Sequence, residues 1–417
     1  MSTEYRHQSN PKRLTLGAKE SSTVSIDNLQ NWREAVREIK SWPEYVEQPT
    51  HSLDSMAKRL GIAKLFYKDE SQRFGREIGS FKALGAPYAV YSLLADEVEK
   101  RTGTRPTSAQ LRAGEFKSIT ERVTVCVSTD GNQGRGLAYG AMIFHCRCVV
   151  YIHGHVSAAR KEAIERYGAI CIRQDSEYEA TFKRAKEDAR MNDWHFVSST
   201  SVDNFNEPLS QRVMGAYQVM VQEAIEQIPE VEKVTHVFTQ GGVGSMPAAV
   251  FMSFVERLKD NPPRCIIVEP TEADGLYQSA VQGKPTPSKG SLKTLMAGLA
   301  CRDVSPAAWS ALEYLCSDYL TVPDYWAADA MKALAIGTGE ADIPIVSGES
   351  ASGGMGVMLM QAHDPELRER LGINEDSRVL LIGCEGATDE AIYADIVGET
   401  PDDVFARQSH AMKQVAV

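Results

Sequence analysis

Lys82 stands in a turn of small residues where a predicted helix begins. It lies in the sequence Gly-Ser-Phe-Lys-Ala-Leu-Gly-Ala, residues 79–86. A deprotonated lysine amine can attack a carbonyl carbon and form a Schiff base, and Phe81 and Leu84 give this amine apolar neighbours. A surface lysine on a helix is the simpler interpretation. The glycines on both sides favour the chemical one, because they let the backbone approach a flat ring.

A glycine-rich loop far downstream has the composition of an anion-binding turn. It follows a predicted strand at 235–239 and opens a predicted helix at 245–258, and its residues are Gly241, Gly242, Val243, Gly244 and Ser245. Backbone N–H groups at a helix N-terminus bind phosphate. The loop is not a Walker sequence, and Pro247 occupies the third glycine position of the dinucleotide fingerprint. A tight turn without a ligand is equally compatible with the loop alone.

The two features together point to one cofactor. A lysine able to form a Schiff base and a phosphate loop without a nucleotide signature are what pyridoxal 5'-phosphate requires. We therefore predict that this cofactor is attached to Lys82 and that its phosphate rests on the loop 241–245.

A third polar segment again joins a predicted strand, 122–128, to a predicted helix, 132–144. Its N–H groups could hold a substrate carboxylate. The Asn132 amide could bond the phenolic oxygen of the cofactor, and Asp130 is placed to act as an acid or a base. Helix capping by either residue is the simpler explanation, and capping is compatible with catalysis.

A fourth segment follows the last strong strand, predicted at 378–383. Cys384 comes directly after this strand, where a short polar side chain could meet the pyridine nitrogen of the cofactor. The residues 347–350, Ser-Gly-Glu-Ser, could form another wall of the same site. Each of these two assignments is weak when it is taken alone.

The predicted elements that position these residues alternate between strands and helices. Further strands are predicted at 147–152, 169–172, 194–197 and 265–269, and further helices at 158–167, 178–191 and 209–228. This alternation predicts an α/β fold with mostly parallel sheets. Because no Gly/Ser linker separates the halves, we expect two intertwined three-layer α/β domains. The large cofactor-binding domain would comprise 1–88 and 206–417, and the small domain 89–205. Residues 1–25 and 405–417 lack clear periodicity and are predicted to be arms or tails.

Composition excludes several classes of partner. The chain has 417 residues, 43% of them hydrophobic, and a net charge of −11, which disfavours a nucleic acid or a membrane surface as partner. The N-terminus is polar, and no apolar run reaches the length of a membrane span, so we expect a cytoplasmic protein. The eight cysteines are expected to be reduced thiols. The alternation through Cys146, Cys148, Val150 and Ile152 favours a strand over a metal site at His145, Cys146 and Cys148.

Taken in order, these segments resemble the tryptophan synthase β (fold type II) class of pyridoxal-phosphate enzymes, and more narrowly the diaminopropionate ammonia-lyase family. The stretches that carry the resemblance lie within residues 60–395 and are 74–75, 81–85, 129–136, 241–246, 266–270, 296–301, 347–350, 385–386 and 388–389. Their conjunction is far more specific than any single motif.

The resemblance implies β-elimination from 2,3-diaminopropionate, which gives pyruvate and two ammonia molecules, in an enzyme expected to be a homodimer. It implies that Lys82 carries the cofactor, that Asp130 is an acid or base and that Asn132 contacts the ring oxygen. Residues 241–245 would bind the phosphate, and Cys384 would lie near the pyridine nitrogen. The small amino-acid substrate is expected to contact Ser80, Ser128, Thr129, Asp130 and Gln133.

The chain departs from the family pattern at four places. The family's acidic residue before its long helix is missing from the run 198–201, and no carboxylate follows until Asp203. Gln133 replaces the usual histidine, and the turn 76–80 is longer by two residues. Gly275 replaces one of two cysteines that can pair, which leaves Cys301 alone. These changes leave the fold and cofactor intact but bear on the substrate.

Three alternatives remain open from the sequence. A dehydratase, a racemase or another C–N lyase could act on a different small amino acid. A pyridoxal-phosphate-binding protein could lack elimination activity altogether. A Rossmann-type oxidoreductase is disfavoured by Pro247 and by the lack of a ribose-binding acid after the glycine loop.

Overall fold

The computed structural model describes residues 5–13, 26–129, 131–154, 156–176, 178–198, 208–259, 261–337 and 342–415. Its strands are β1 (Arg6–Ser9), β2 (Thr50–Ser52), β3 (Lys64–Asp69), β4 (Thr124–Ser128), β5 (Arg147–His153), β6 (Ile170–Gln174), β7 (His195–Phe196), β8 (His236–Gln240), β9 (Arg264–Pro270), β10 (Asp318–Val322) and β11 (Arg378–Gly383).

The α-helices of the described residues are α1 (Ile26–Lys40), α2 (Asp54–Leu60), α3 (Lys82–Thr102), α4 (Ser108–Arg112), α5 (Lys117–Thr120), α6 (Asn132–Ile143), α7 (Ala158–Glu165), α8 (Tyr178–Met191), α9 (Pro208–Ala216), α10 (Gln218–Gln227), α11 (Ser245–Arg257), α12 (Gly275–Gln282), α13 (Pro306–Leu315), α14 (Asp324–Ile336), α15 (Gly353–Gln361), α16 (Pro365–Leu371), α17 (Glu390–Val397) and α18 (Pro401–Val415). Short 3₁₀ turns occupy Val231–Lys233, Ala297–Leu299 and Glu349–Ala351.

The chain divides into two compact units. The first comprises Met1–Ser25, Glu47–Gln72 and Met220–Val417, and the second comprises Ile26–Val46 and Arg73–Val219. The chain enters the second unit twice, first with Ile26–Val46 and again with Arg73–Val219. The stretch that carries Lys82 belongs to the second unit, where α3 packs against α6 and α9.

In the described part of the first unit, seven strands form one sheet in the order β1-β10-β9-β8-β11-β3-β2. The five inner strands are parallel, and the short edge strands β1 and β2 run antiparallel to their neighbours. The inner strands are almost continuously buried, because parallel strands are covered on both faces, and β11, with Arg-Val-Leu-Leu-Ile-Gly, is also largely apolar. Helix α15 packs on this sheet with Gly354 against Phe238 and Leu381.

The second unit has its own parallel sheet, which in the described residues has the order β6-β5-β4-β7. Beside it, the helices approach one another closely through glycines. A Cβ on Gly140 of α6 would lie 2.7 Å from the Cα of Pro87 in α3, and a Cβ on Gly85 would lie 2.7 Å from Val213 of α9. These small residues let the backbones meet at distances that a larger side chain would prevent.

The expected α/β architecture with mostly parallel sheets is confirmed. Two predictions about individual elements were wrong. The helix predicted at 209–228 is interrupted at Tyr217, whose ring lies 4.7 Å from that of Phe81. The tail predicted at 405–417 is helical through residue 415, because Val404 and Phe405 are buried against Met331 and Tyr393.

Among the described residues, every helix is too short or too polar to cross a lipid bilayer. The eight cysteines are free thiols. Burial raises the pKa of the Cys126 and Cys146 thiols to about 12, which keeps these two sulfurs protonated.

Candidate active site

Lys82 is the first residue of α3, as the sequence predicted, and it follows a turn that contains Gly79 with a φ of 47°. The buried Ser80 holds this turn, since its hydroxyl oxygen accepts a hydrogen bond from the Lys82 N–H at 3.4 Å. A positive φ is accessible to glycine at little cost, so Gly79 allows the chain to turn sharply just before the lysine. The lysine therefore starts a rigid helix rather than a mobile loop.

Helix α6, which follows the loop after β4, packs against the start of α3 in the same unit. A Cβ on Gly136, in the second turn of α6, would be 3.1 Å from the carbonyl oxygen of Lys82. Thr129 organises the loop, because its hydroxyl accepts a hydrogen bond from the Gly131 N–H at 3.1 Å and its methyl group packs against Gly134. Asp130 lies outside the described residues, so the structure does not place this predicted acid or base.

Two side chains at this loop are buried without a polar partner among the described residues. Gln133 is 4% exposed, and neither its amide oxygen nor its amide nitrogen makes a hydrogen bond. The hydroxyl of Ser128, which is 5% exposed, is also unpaired. An unpaired buried polar group is costly in a folded protein, and a ligand that pairs with it removes that cost. Both residues were predicted from the sequence to contact the substrate, and Asn132 begins α6 next to them.

The glycine loop of the first unit connects β8 to α11. Its shape requires glycine twice, because Gly242 has a φ of 60° and Gly244 a φ of 101°. The Gly241 N–H donates to the carbonyl of Val268 at 2.9 Å, which ties the loop to β9. A Cβ on Gly242 would meet only Leu299 among the described residues, at 3.8 Å, so there is room for a ligand at this point.

Ser245 begins α11, a helix of 13 residues, and its side chain is buried. The first N–H groups of a helix have no partner within the helix and carry its positive dipole end. A phosphate at this loop therefore meets favourable N–H groups, and Gly242 leaves space for it.

Cys384 follows β11 at the same sheet edge as this loop. β11 is the parallel neighbour of β8, so the carboxyl ends of the two strands lie side by side. Gln240, the last residue of β8, links them by donating from its amide nitrogen to the Ile382 carbonyl at 2.6 Å. Cys384 itself is buried, with 3% of its surface exposed. The predicted phosphate loop and Cys384 are thus brought together within the first unit.

The segment 347–350, predicted as a wall, also reaches this edge. The Gly348 N–H donates to the Glu385 carbonyl at 3.0 Å, and the Ser347 hydroxyl accepts a hydrogen bond from Tyr67 at 2.7 Å. Burial, with help from the nearby Asp69 charge, raises the pKa of Tyr67 above its ordinary value, so this phenol remains a hydrogen-bond donor.

One buried carboxyl next to the loop 241–245 was given no role from the sequence. Glu269 near the end of β9 is 1% exposed, and it packs directly against Gly241. Burial raises its pKa to about 8, although the N–H groups of Tyr277 and Leu276 oppose this shift. A glutamate inside the apolar strand Arg-Cys-Ile-Ile-Val-Glu-Pro was the signal that could have identified it.

Two departures from the family pattern can be located in part. Of the run 198–201 only Ser198 is described, and Ser199, Ser201 and Asp203 lie outside the described residues. A Cβ on Gly275 would be 3.2 Å from the Arg302 carbonyl oxygen, so position 275 lies next to the segment that carries Cys301.

The described residues fit pyridoxal 5'-phosphate on observations of each unit separately. The second unit offers a helix-initiating lysine in contact with α6, and unpaired buried side chains at the start of α6 and the end of β4. The first unit offers a glycine loop with free space at a helix N-terminus, beside a buried cysteine. These are the features that a covalently attached aldehyde with a phosphate group requires.

Comparison with known proteins leads to the same cofactor. The family model described as pyridoxal-phosphate dependent enzyme matches residues 42–385. The chain is 34% identical over 399 residues to the diaminopropionate ammonia-lyase of Salmonella typhimurium, covering 94% of this chain and 97% of that protein.

Solved structures give a similar result. The holo diaminopropionate ammonia-lyase of Escherichia coli superposes with a TM-score of 0.84 at 31% identity, covering 95% of this chain and 97% of that one. The crystal structure of the same enzyme in complex with D-serine gives a TM-score of 0.85 at 30% identity, covering 97% and 99% of the two chains. On this similarity, which extends over nearly the whole length, the chain belongs to the family of pyridoxal-phosphate-dependent enzymes of fold type II, in its diaminopropionate ammonia-lyase branch.

Proposed function

We propose that the protein catalyses β-elimination of ammonia from 2,3-diaminopropionate or a closely related β-substituted amino acid. With diaminopropionate, the α-proton and the β-amino group are lost, and water then replaces the α-amino group, which yields pyruvate and two ammonia molecules. The observation that carries this proposal is the 34% identity to diaminopropionate ammonia-lyases along almost the entire chain.

Each predicted residue has a role in this proposal. Bound pyridoxal 5'-phosphate withdraws electrons from the α-carbon, so that a base can remove its proton and the β-substituent can leave. Lys82 attaches the cofactor and, once the substrate replaces it, its free amine serves as a base. The loop 241–245 holds the phosphate through its backbone N–H groups and the Ser245 hydroxyl, apart from the Gly241 N–H, which donates to the Val268 carbonyl. Asn132 contacts the ring oxygen, and Cys384 lies near the pyridine nitrogen.

The β4–α6 loop receives the substrate. Ser80, Ser128, Thr129 and Gln133 are proposed to bind its polar groups, and Asp130 is proposed to exchange protons with it. Support comes from the buried, unpaired Gln133 amide and Ser128 hydroxyl, which gain hydrogen bonds when a carboxylate or amine enters. Gln133 offers both a donor and an acceptor and remains uncharged at every ordinary pH.

The test is an assay of ammonia and 2-oxo acid release from a panel of D- and L-β-substituted amino acids. We expect pyruvate and two equivalents of ammonia from diaminopropionate. Release from serine or threonine alone would make the protein a dehydratase, and inversion without release would make it a racemase. An absorbance band of the bound cofactor with no turnover of any amino acid would leave a binding protein.

We further propose that the protein works as a homodimer in the cytoplasm, as the family resemblance implies. The eight free cysteines, five of which are buried, support a reducing compartment. Light scattering of the purified holoenzyme tests the dimer, and cell fractionation tests the location.

A further inference from the structure

Glu269 joins three parts of the first unit at one buried point. Its two carboxyl oxygens accept hydrogen bonds from two backbone N–H groups in the first turn of α12, from Leu276 at 3.1 Å and from Tyr277 at 2.8 Å. It therefore holds the start of this helix against the end of β9.

The same side chain supports the phosphate loop from behind. A Cβ on Gly241 would lie 2.5 Å from the Cγ of Glu269 and 2.9 Å from its Oε1, so the two residues are in direct contact. One residue earlier, the Val268 carbonyl accepts the Gly241 N–H. The first residue of the loop is thus fixed by a main-chain hydrogen bond and by the packed Glu269 side chain.

The N-terminal strand holds the other side of α12. The Arg6 guanidinium pairs with the buried Asp274 at 2.8 Å and donates to the Thr271 carbonyl at 2.7 Å. It also lies over the Tyr277 ring at 5.0 Å from the ring centre. Because Tyr277 donates to Glu269, a chain of contacts runs from β1 through α12 to the phosphate loop.

We propose that Glu269 is a positioning residue for the cofactor phosphate, holding Gly241 so that the loop amides keep their geometry, with Arg6 supporting it through α12. The proposal rests on the proposed role of 241–245 as the phosphate site. A carboxyl that carries little charge near neutral pH fits behind an anion site, because an ionised one would repel the phosphate. Burial supplies that condition by raising the pKa of Glu269 to about 8.

The variants Glu269→Ala, Glu269→Gln and Arg6→Ala test this role in the full-length protein. Cofactor release from the holoenzyme is timed by absorbance. Rebinding is then titrated with pyridoxal 5'-phosphate and, separately, with pyridoxal, which lacks the phosphate. Asp364→Ala is the matched control, because Asp364 likewise accepts a hydrogen bond from a first-turn N–H, that of Leu367 at 3.0 Å, but in a different helix, α16.

We expect Glu269→Ala to weaken pyridoxal-phosphate binding by about tenfold, which corresponds to about 1.4 kcal/mol, and to leave pyridoxal binding within a factor of about two. Glu269→Gln should lose less affinity for pyridoxal 5'-phosphate, since its amide oxygen still accepts a hydrogen bond from one of the two N–H groups. Arg6→Ala should follow the same pattern more weakly. Asp364→Ala should match the wild type with both ligands.

A purely structural role for Glu269 predicts a different result. In that case Glu269→Ala would bind pyridoxal 5'-phosphate and pyridoxal with equally reduced affinity, or both with unchanged affinity. Either outcome overturns the proposal. If Glu269→Ala does not fold, the proposal is tested by the ratio of the affinities for pyridoxal 5'-phosphate and pyridoxal in Glu269→Gln and Arg6→Ala. Gly244→Val is measured alongside, because unchanged phosphate selectivity in that variant would overturn the phosphate site itself rather than the role of Glu269.

Discussion

Gly136 lies against the carbonyl oxygen of Lys82, so that a Cβ at position 136 would come within 3.1 Å of that oxygen and 3.5 Å of the Ala83 Cα. Only glycine allows α6 to approach the first turn of α3 this closely. The contact fixes how closely α6 approaches the lysine, and α6 follows the β4–α6 loop, which lies 47–49 residues after Lys82 in the sequence. The proposed substrate loop and the proposed cofactor lysine are therefore positioned by one helix contact.

Gly136→Ala is expected to disturb this contact and to destabilise the protein by about 1–3 kcal/mol, the usual cost of overpacking. The shift of α3 should also lower the fraction of protein that holds the cofactor covalently. Chemical unfolding and the cofactor absorbance measure the two effects. Gly154→Ala in the same unit is the control, since its nearest neighbour is the Asp175 side chain at 3.4 Å. Equal behaviour of the two variants would contradict the prediction.

Lys82→Ala is expected to abolish the covalent attachment of the cofactor while the fold is retained. No other residue of the turn 79–86 has an amine that can react with an aldehyde. Borohydride reduction followed by mass spectrometry should find the pyridoxyl group on Lys82 in the wild type and nowhere in the variant. The control is Lys100→Ala, at an exposed position of the same helix. A pyridoxyl group on any other lysine would disprove the assignment.

Much of this fold follows from periodicity. The alternation of apolar strands and amphipathic helices gave β4, α6, β5 and β11 to within two residues. Local pattern did not predict the break at Tyr217, because the cause is packing against Phe81 and Gly85 from another part of the chain. The edge strand β1 was not predicted for a similar reason. A polar strand of four residues has no recognisable period, and β1 is defined by its pairing with β10.

The candidate site was predictable to the extent that its chemistry is local in sequence. The Lys82 turn and the loop 241–245 can each be identified from their amino-acid composition. The unpaired state of Gln133 and the contact of Glu269 with Gly241 are properties of three-dimensional packing. A sequence shows the residue type at such positions but not whether a hydrogen-bond partner is within reach.

Gly244→Val is expected to weaken cofactor binding strongly. Gly244 has a φ of 101°, which a β-branched residue adopts only with strain, and its Cβ would lie 3.0 Å from Ala308 and 3.1 Å from Leu312. An absorbance titration with pyridoxal 5'-phosphate measures the loss. Gly398→Val is the control for backbone strain without a steric clash, because Gly398 has a φ of 83° but no atom within 4 Å of its Cβ position. Unchanged affinity in Gly244→Val would count against the phosphate loop.

Asp130→Asn is expected to reduce turnover severely and to leave cofactor binding intact. The sequence places this carboxyl in the substrate loop, and the second acid of the family pattern is missing from 198–201. A serine hydroxyl is too weak a base to replace it, so we expect a marked preference for one enantiomer of diaminopropionate. Rates on the D and L forms measure this, with exposed Asp376→Asn as control. Equal rates on both forms would refute the preference.

The last prediction concerns acid stability and His236, at the start of the strand that leads into the phosphate loop. Its ring is buried, with Nε2 donating to the Leu371 carbonyl at 3.0 Å and Nδ1 lying 2.7 Å from the Thr235 hydroxyl. Burial lowers the pKa of His236 from 6.5 to about 4. The neutral ring is therefore the form that the folded protein retains.

Because this pKa is lower in the folded state, the unfolded chain binds more protons than the folded one between about pH 4 and pH 6.5. The free energy of unfolding should therefore fall as the pH drops through this window, by up to about 1.4 kcal/mol per pH unit from this residue. His236→Gln cannot titrate, so its stability should depend less steeply on pH there, whatever its stability at neutral pH.

Urea unfolding of the wild type and His236→Gln at several pH values between about 4 and 8 measures the difference in slope. Glu269 contributes the opposite trend above its unfolded pKa, since its folded pKa is raised, but it is present in both proteins and cancels from the comparison. Exposed His363→Gln should reproduce the wild-type curve. Parallel curves for the wild type and His236→Gln would contradict the prediction, because they would show that His236 has the same pKa in the folded and the unfolded protein.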